Sequence, residues 1–189
     1  MKTEQVNIYK FSELSPKVQR EVLDKMRNIN TDYDWYDSDF EGFKEQLDKM
    51  GLSCDSFGFD LYNRDCYMIK PHIDDIRKFL KSGMRDEERL LFEIDEEKKD
   101  EFEALVDKLE EEYNFGIEES NGRSSYNYVE GLDEVGDILG YDYDEHIKDT
   151  MKDFLKQLQE SYDYLESDEA VKDTIEANEY DFLEDGERW

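Results

Sequence analysis

Residues 144–166 read DEHIKDTMKDFLKQLQESYDYLE, and this stretch decides the fold class. Its apolar side chains recur every three or four residues, which predicts one long amphipathic helix. The residues on the apolar face are Ile147, Met151, Phe154, Leu155, Leu158, Tyr162 and Leu165. A protein built around helices of this kind is expected to be mostly helical.

The same spacing predicts further helices on both sides of this stretch. In chain order they cover residues 16–29, 35–50, 71–83, 95–113 and 168–178. Ser15 followed by Pro16 is typical of a helix start, and Ser167 is a second N-cap residue. Gly51 is typical of the residue that follows a helix end.

Strand signals in the sequence are short. Residues 52–61 and 66–69 are rich in strand-forming side chains, and Asn63-Arg64-Asp65 between them predicts a hairpin turn. Weaker strand signals occur at Val6, Ile8 and Phe11, at Tyr126 and Tyr128, and at Tyr180 and Phe182. We therefore predict an α+β fold, mostly helical with a small antiparallel sheet.

Charge is distributed unevenly along the chain. The chain has 53 Asp and Glu against 24 Lys and Arg, a net charge of −29. Residues 1–90 hold 19 acids and 15 bases, whereas residues 91–189 hold 34 acids and 9 bases. We expect either a single acidic domain over residues 1–189 or two lobes: a near-neutral α/β lobe over 1–85 and a strongly acidic helical lobe over 86–189. An aromatic content of 14% indicates folded structure rather than an acidic tail.

The cysteines and the apolar segments predict a cytoplasmic protein. Cys54 and Cys66 are twelve residues apart, and we expect both to be reduced thiols. They form no zinc-type spacing with His72 and His146, which lie far apart. No stretch approaches the roughly 20 apolar residues that span a bilayer, and the N-terminus lacks the apolar core of a leader peptide.

Motifs for metal binding and catalysis are weak. Residues 37–42 read DSDFEG, with Asp48 eleven positions after Asp37, which partly matches a calcium-loop template. Lys44 at the eighth position and the helical pattern favour helix capping instead. No nucleophile motif or phosphate-binding glycine loop occurs, and a two-metal carboxylate nuclease needs a basic cleft for its substrate. We expect no cofactor, no resident metal and no enzyme activity.

The acidic residues of the second half are the candidate partner-binding residues. Three acids at the C-terminus of a helix, 110–112, oppose the helix dipole and repel one another. So high a charge also destabilises the compact state, which suggests that binding has favoured it. The candidates are Glu93, Asp95, Glu96, Glu97, Asp100, Glu101, Glu103, Glu110, Glu111, Glu112, Glu118, Glu119, Glu130, Asp133, Glu134, Asp137, Asp142, Asp144 and Glu145.

A surface this negative repels nucleic acid and anionic lipid and attracts basic grooves. Duplex DNA carries one negative charge per about 1.7 Å of its axis, and carboxylates on helices and loops can approximate that array. Tyrosines among the acids either add contact area to such a surface or pack in the core. They are Tyr126, Tyr128, Tyr141 and Tyr143.

Both ends of the chain carry recognisable short motifs: residues 10–15 (KFSELS), the pair Trp35-Tyr36, residues 167–171 (SDEAV) and residues 177–182 (ANEYDF) with Asp185-Gly186. With these motifs the chain resembles a widespread, largely uncharacterised family of small phage and prophage proteins. The family usually has a glycine-rich hairpin where this chain reads GFDLYNRD over residues 58–65. The resemblance implies a phage origin and no particular reaction.

Charge and resemblance together lead to a functional expectation. The chain is expected to be a phage anti-defence inhibitor that mimics DNA and binds the basic nucleic-acid-binding surface of a host nuclease or of a CRISPR or restriction effector. The alternative is a phage antitoxin-like or regulatory module that binds a protein through an apolar patch. Both exclude direct nucleic-acid binding and membrane binding, and both leave the oligomeric state open.

Overall fold

The computed structural model describes residues 6–85, 95–112 and 141–189. Over these ranges the fold is α+β and mostly helical, which confirms the predicted class. The helices are α1 (Pro16–Lys25), α2 (Asp37–Lys49), α3 (Ile76–Gly83), α4 (Glu96–Glu112), α5 (Tyr143–Leu165) and α6 (Asp168–Ala177). The strands are β1 (Tyr9–Lys10), β2 (Leu52–Asp60), β3 (Asp65–Ile73) and β4 (Asp181–Phe182). The strand predicted at Tyr126 and Tyr128 lies outside the described residues.

Two helix boundaries differ from the prediction by four or five residues. The prediction that the third helix starts near residue 71 was wrong, because β3 continues to Ile73. The helix begins at Ile76, after the Oδ1 atom of Asp75 accepts a hydrogen bond from the backbone N–H of Lys78 (2.9 Å). The first helix ends at Lys25 rather than residue 29, and a 3-10 turn follows over Arg27–Asn30.

The described strands form two separate antiparallel pairs rather than one sheet. β2 and β3 form a regular hairpin that runs from Leu52 opposite Ile73 to Asp60 opposite Asp65. At its tip, the carboxylate of Asp60 accepts hydrogen bonds from the backbone N–H (3.0 Å) and the side-chain amide (2.6 Å) of Asn63. β1 pairs with β4, which joins the two ends of the chain.

The chain divides into two compact units. The terminal unit comprises Met1–Asp37 and Gln159–Trp189, and the central unit comprises Ser38–Leu158. The change in charge near residue 85 does not coincide with either boundary. None of the helices in the described ranges is long and apolar enough to cross a membrane.

A small apolar core and a polar network hold the terminal unit together. The core contains Phe11, Leu14, Val22, Val171, Ile175 and Phe182. Beside α6, the buried Asn30 side chain donates from Nδ2 to the carbonyl of Leu165 (3.0 Å) and accepts at Oδ1 from the hydroxyl of Thr174 (2.7 Å). Arg27 donates to the carbonyl of Glu166 (2.9 Å). These bonds fix the 3-10 turn against the start of α6.

The central unit has an aromatic core. Phe43 of α2 and Phe154 of α5 stack in parallel with ring centroids 3.9 Å apart. Phe57 of β2 lies against both rings, with centroids at 5.2 and 5.4 Å. Gly51, with φ of 76°, ends α2 and accepts two backbone hydrogen bonds at its carbonyl from Asp74 and Asp75. The β2–β3 hairpin is thereby anchored to the end of α2.

Candidate interaction surface

The structure describes part of the predicted acidic surface. Side chains are described for eight of the candidates: Asp95, Glu96, Glu97, Asp100, Glu101, Glu103, Asp142 and Glu145. Those of Glu110, Glu111 and Glu112 in α4 and of Asp144 in α5 lie outside the description, as do the whole residues Glu93, Glu118, Glu119, Glu130, Asp133, Glu134 and Asp137. All eight described candidates belong to the central unit.

The first carboxylate of the surface has a structural role at the start of α4. The Oδ1 atom of Asp95 accepts hydrogen bonds from the backbone N–H groups of Glu97 (3.1 Å) and Lys98 (3.3 Å). It therefore satisfies two of the N–H groups that a helix leaves unpaired at its N-terminus. This bonding explains why α4 begins at Glu96.

Two acids in the middle of α4 are neutralised by a single arginine from α3. Arg77 donates from Nε to Glu103 (2.9 Å) and from a terminal guanidinium nitrogen to Asp107 (3.2 Å). Glu103 and Asp107 are one turn apart, so both carboxylates lie within reach of one guanidinium. Glu103 is half-buried in this arrangement. We therefore assign Glu103 to the packing of α3 against α4 rather than to a partner.

The first two turns of α4 keep more of their charge. Glu96, Glu97 and Asp100 are exposed and form no ion pair with any described residue, whereas Glu101 pairs with Lys98 (3.2 Å). The helix dipole stabilises acids in the first turn, but its effect has faded by the second turn, where Asp100 lies. Residues 95–101 carry five acids and two lysines over about 9 Å of helix axis, or one net charge per ~3 Å. That density is close to the ~3.4 Å per charge of one DNA strand.

The start of α5 is engaged in local bonds. Asp142 caps the helix by accepting a hydrogen bond from the backbone N–H of Glu145 (2.8 Å). Glu145 pairs with Lys148 (3.7 Å) and Lys152 (3.3 Å). Tyr143, a possible contact residue by sequence, is buried and donates its hydroxyl to the carbonyl of Leu80 (2.9 Å). This part of the predicted surface is therefore more neutral than its sequence indicates.

The calcium-loop template at residues 37–48 lies within a continuous helix. Asp37 and Asp39 belong to the first turn of α2, and the carboxylate of Asp39 accepts a hydrogen bond from the side chain of Gln157 (3.0 Å). A helical backbone cannot wrap its own side chains around an ion as a calcium loop does. Elsewhere in the described ranges, no three His, Cys, Asp or Glu side chains converge as metal ligands do.

Sequence spacing gave no signal for a serine–histidine contact between α3 and α5. The hydroxyl oxygen of Ser82 lies 3.2 Å from Nε2 of His146, and the same hydroxyl donates to the carbonyl of Phe79 (2.7 Å). Because the single hydroxyl proton goes to that carbonyl, the serine accepts its bond from the histidine. A nucleophilic serine would need the opposite direction. The contact therefore holds α3 against α5 and does not constitute a catalytic pair.

His146 makes the stability of the central unit depend on pH. Burial lowers its pKa below the usual 6.5, and the carboxylate of Asp149 opposes the shift. The unfolded chain then binds the proton more readily, so the contribution of neutral His146 is complete above pH 6.5 and is lost as pH falls further. We expect the stability advantage of the wild type over His146→Gln to shrink between pH 8 and pH 5. Urea unfolding of the wild type and His146→Gln at pH 8 and pH 5 measures this difference in stability. A difference that does not change with pH would contradict the lowered pKa of His146.

The two cysteines are separate thiols of low reactivity. Cys66 is buried and Cys54 is half-buried, and neither forms a disulfide. Burial raises the pKa of Cys54 to about 11 and that of Cys66 to about 12. The thiolate is the nucleophilic form of cysteine, so neither side chain is activated at neutral pH.

A second acidic region, outside the predicted binding residues, lies in the terminal unit. Residues 159–189 contain 12 Asp and Glu but only Lys172 and Arg188 as cations. Lys172 pairs with Glu176 (3.8 Å), and the guanidinium of Arg188 stacks on the ring of Tyr180 (3.7 Å). The excess of acids in this segment is visible in the sequence. The predicted binding residues, however, were taken from the longer acidic runs over residues 93–145.

Both units thus present carboxylates in excess of their cations, and in the first two turns of α4 Glu96, Glu97 and Asp100 are exposed and unpaired among the described residues. The chain was compared with known proteins by family, by sequence and by structure. The chain matches no family model, no curated protein and no solved structure.

Proposed function

We propose that this protein is a phage-encoded inhibitor that acts in the cytoplasm of a bacterial host. Its target is the basic nucleic-acid-binding surface of a defence nuclease or of a CRISPR or restriction effector. It occupies that surface with carboxylates in place of phosphates and performs no chemistry of its own. The exposed, unpaired acids in the first two turns of α4 are the observation that carries this proposal.

The described carboxylates of α4 differ in the contacts that they make. Arg77 neutralises the pair that faces α3, and Asp95 caps the helix. Glu96, Glu97 and Asp100 have no such role in the described part of the chain. Unpaired like charges in one turn cost a few tenths of a kcal/mol per pair. Cations of a basic partner would relieve this repulsion, so the same carboxylates would favour binding.

Charge mimicry explains why such a partner would accept a protein in place of DNA. A groove that binds phosphates holds lysines and arginines whose counterions are released when an anion docks. A row of carboxylates at nearly the charge spacing of one strand uses the same cations. Electrostatic complementarity of this kind speeds association and is weakened by salt.

The proposal is tested by charge reversal on α4. We expect the triple variant Glu96→Lys, Glu97→Lys and Asp100→Lys to compete with DNA for the partner about tenfold or more weakly than the wild type. The matched control reverses Glu45, Asp48 and Asp153, three exposed acids on α2 and α5 of the same unit. It has the same net charge as the α4 triple variant and should compete like the wild type.

The partner is first identified by affinity capture from bacterial lysate, with washes at 0.1 M and then 0.5 M salt. Competition is then measured with that purified partner and labelled DNA. Equal competition by the α4 triple variant and the wild type would contradict the proposed surface. A partner that resists high salt and binds no nucleic acid would favour the alternative, a regulatory module with an apolar patch.

A further inference from the structure

A groove in the terminal unit runs between α1 and α6. Its volume is about 490 Å³, within the range of pockets that bind small ligands or single side chains. It lies where the two stretches that carry the family resemblance meet, since Phe11 and Ser12 line one side and Asp168 and Glu169 line the other. This groove is separate from the α4 surface, which belongs to the central unit.

The floor of the groove is apolar. Phe11 is a core residue with 5% of its surface exposed, and the half-buried side chain of Leu23 packs against the same core. A floor of this kind accepts the methylene stem of a long side chain, which gains by leaving water. The groove therefore has a place for hydrocarbon beneath its polar rim.

The α6 wall of the groove carries carboxylates that the fold does not use. Glu169 and Asp173 are one turn apart on α6, exposed, and without a hydrogen bond or ion pair to any residue in the described ranges. The third acid, Asp168, is held by Arg27 (2.6 Å). Lys172, the only cation that lines the groove, pairs with Glu176 on the same helix. The wall thus keeps two negative charges for a ligand.

The α1 wall adds a neutral acceptor. The amide nitrogen of Gln19 donates to the carbonyls of Phe11 (3.1 Å) and Leu14 (3.0 Å), which uses both of its hydrogens. Its oxygen Oε1 has no donor partner among the residues that the structure describes. Two backbone carbonyls fix the orientation of this amide, so its oxygen is a preformed acceptor. Ser12 adds an exposed hydroxyl at the rim.

We propose that the groove between α1 and α6 binds an arginine-containing basic segment of a partner protein. Arginine matches each part of the groove, since its apolar stem fits the floor and its planar guanidinium offers five donors to acceptors on both walls. The charge of Glu169 and Asp173 selects a cation over a neutral side chain. Lysine has only three donors, all on one nitrogen, so it cannot reach acceptors on both walls as well as arginine can.

The test uses the full chain labelled with ¹⁵N and a capped peptide of alternating arginine and leucine. We expect saturable shifts of the backbone amides of Ser12, Gln19, Leu23, Glu169 and Asp173. A peptide with lysine in place of arginine should bind more weakly, and one with glutamate should not bind. Shifts spread evenly over all acidic helices, or no saturable shift in the groove, would overturn the proposal.

Two variants of the groove and one control sharpen the result. Glu169→Lys with Asp173→Lys should weaken peptide binding about tenfold or more. Glu184→Lys with Glu187→Lys has the same net charge and changes exposed acids of the same unit outside the groove, so it should bind like the wild type. Ser12→Trp fills the rim without a change of charge and should also weaken binding. Equal losses in the groove and control variants would overturn the assignment.

This inference does not depend on the proposed function of α4. The α4 triple variant should bind the arginine peptide like the wild type, because its changes lie in the other unit. The groove double variant, in turn, tests the groove alone. Failure of one proposal is therefore distinguishable from failure of the other.

Discussion

Replacing Asn30 by aspartate is expected to destabilise the terminal unit by about 3 to 5 kcal/mol, because it buries a charge whose one described donor is the neutral hydroxyl of Thr174. Asn30 is only 5% exposed, and its Nδ2 group is the donor to the carbonyl of Leu165. Aspartate has no such donor, so two acceptors would face each other inside the unit. Protonation of the new carboxyl would restore a donor, so the loss should shrink as pH falls.

The matched control for this change is Asn28→Asp. Asn28 lies two residues earlier in the same 3-10 turn, and its side chain is exposed. The same charge there should change stability by about 0.5 kcal/mol or less. Both tryptophans, Trp35 and Trp189, belong to the terminal unit, so urea unfolding followed by tryptophan fluorescence reports on this unit. Equal effects of the two variants would contradict the role of Asn30.

The second large effect is expected in the central unit. Phe154→Ala should destabilise the protein by about 3 to 5 kcal/mol, because it removes the ring at the centre of the aromatic core and leaves a cavity. Phe154 is 2% exposed and contacts the rings of Phe40, Phe43 and Phe57. The three remaining side chains are hydrocarbon rings that offer water no hydrogen bonds, so the cavity would be costly to keep open.

Far-UV circular dichroism during urea unfolding measures this loss, since the tryptophans lie in the other unit. Tyr62→Ala is the control, because Tyr62 at the hairpin tip is 94% exposed. It should change stability by about 0.5 kcal/mol or less. A loss below about 1 kcal/mol for Phe154→Ala would mean that this core is not packed as described.

The helices could be predicted because their signals are local. Ser15 and Ser167 were identified as N-caps from sequence, and each side chain accepts a bond from a backbone N–H three residues on. The period of apolar residues located α5 to within one residue at each end. The start of α3 was misplaced because Pro71 fits a helix start as well as a strand, and only the pairing with Cys54 decides between them.

The interaction surfaces could be predicted only in part, because neutralisation depends on contacts that are distant in sequence. Arg77 reaches Glu103 across 26 residues, and nothing in the acidic run shows which acids it will pair with. Local i to i+4 spacing identifies neither this pair nor the groove between α1 and α6. The strands β1 and β4 gave only weak signals in the sequence, and strands of two residues are too short to identify their partners.

The pairing of β1 with β4 has a consequence for synthesis on the ribosome. Lys10 bonds to the carbonyl of Glu179, 169 residues later, so the terminal unit cannot form until that residue has been made. At about 5 to 20 residues per second, α1 waits roughly 10 to 30 s with its apolar face uncovered. The last residue of the central unit, Leu158, is made about 1 to 4 s before Glu179 at the same rates. We therefore expect nascent chains that stop before α6 to contain a folded central unit and an N-terminal segment accessible to chaperones and proteases.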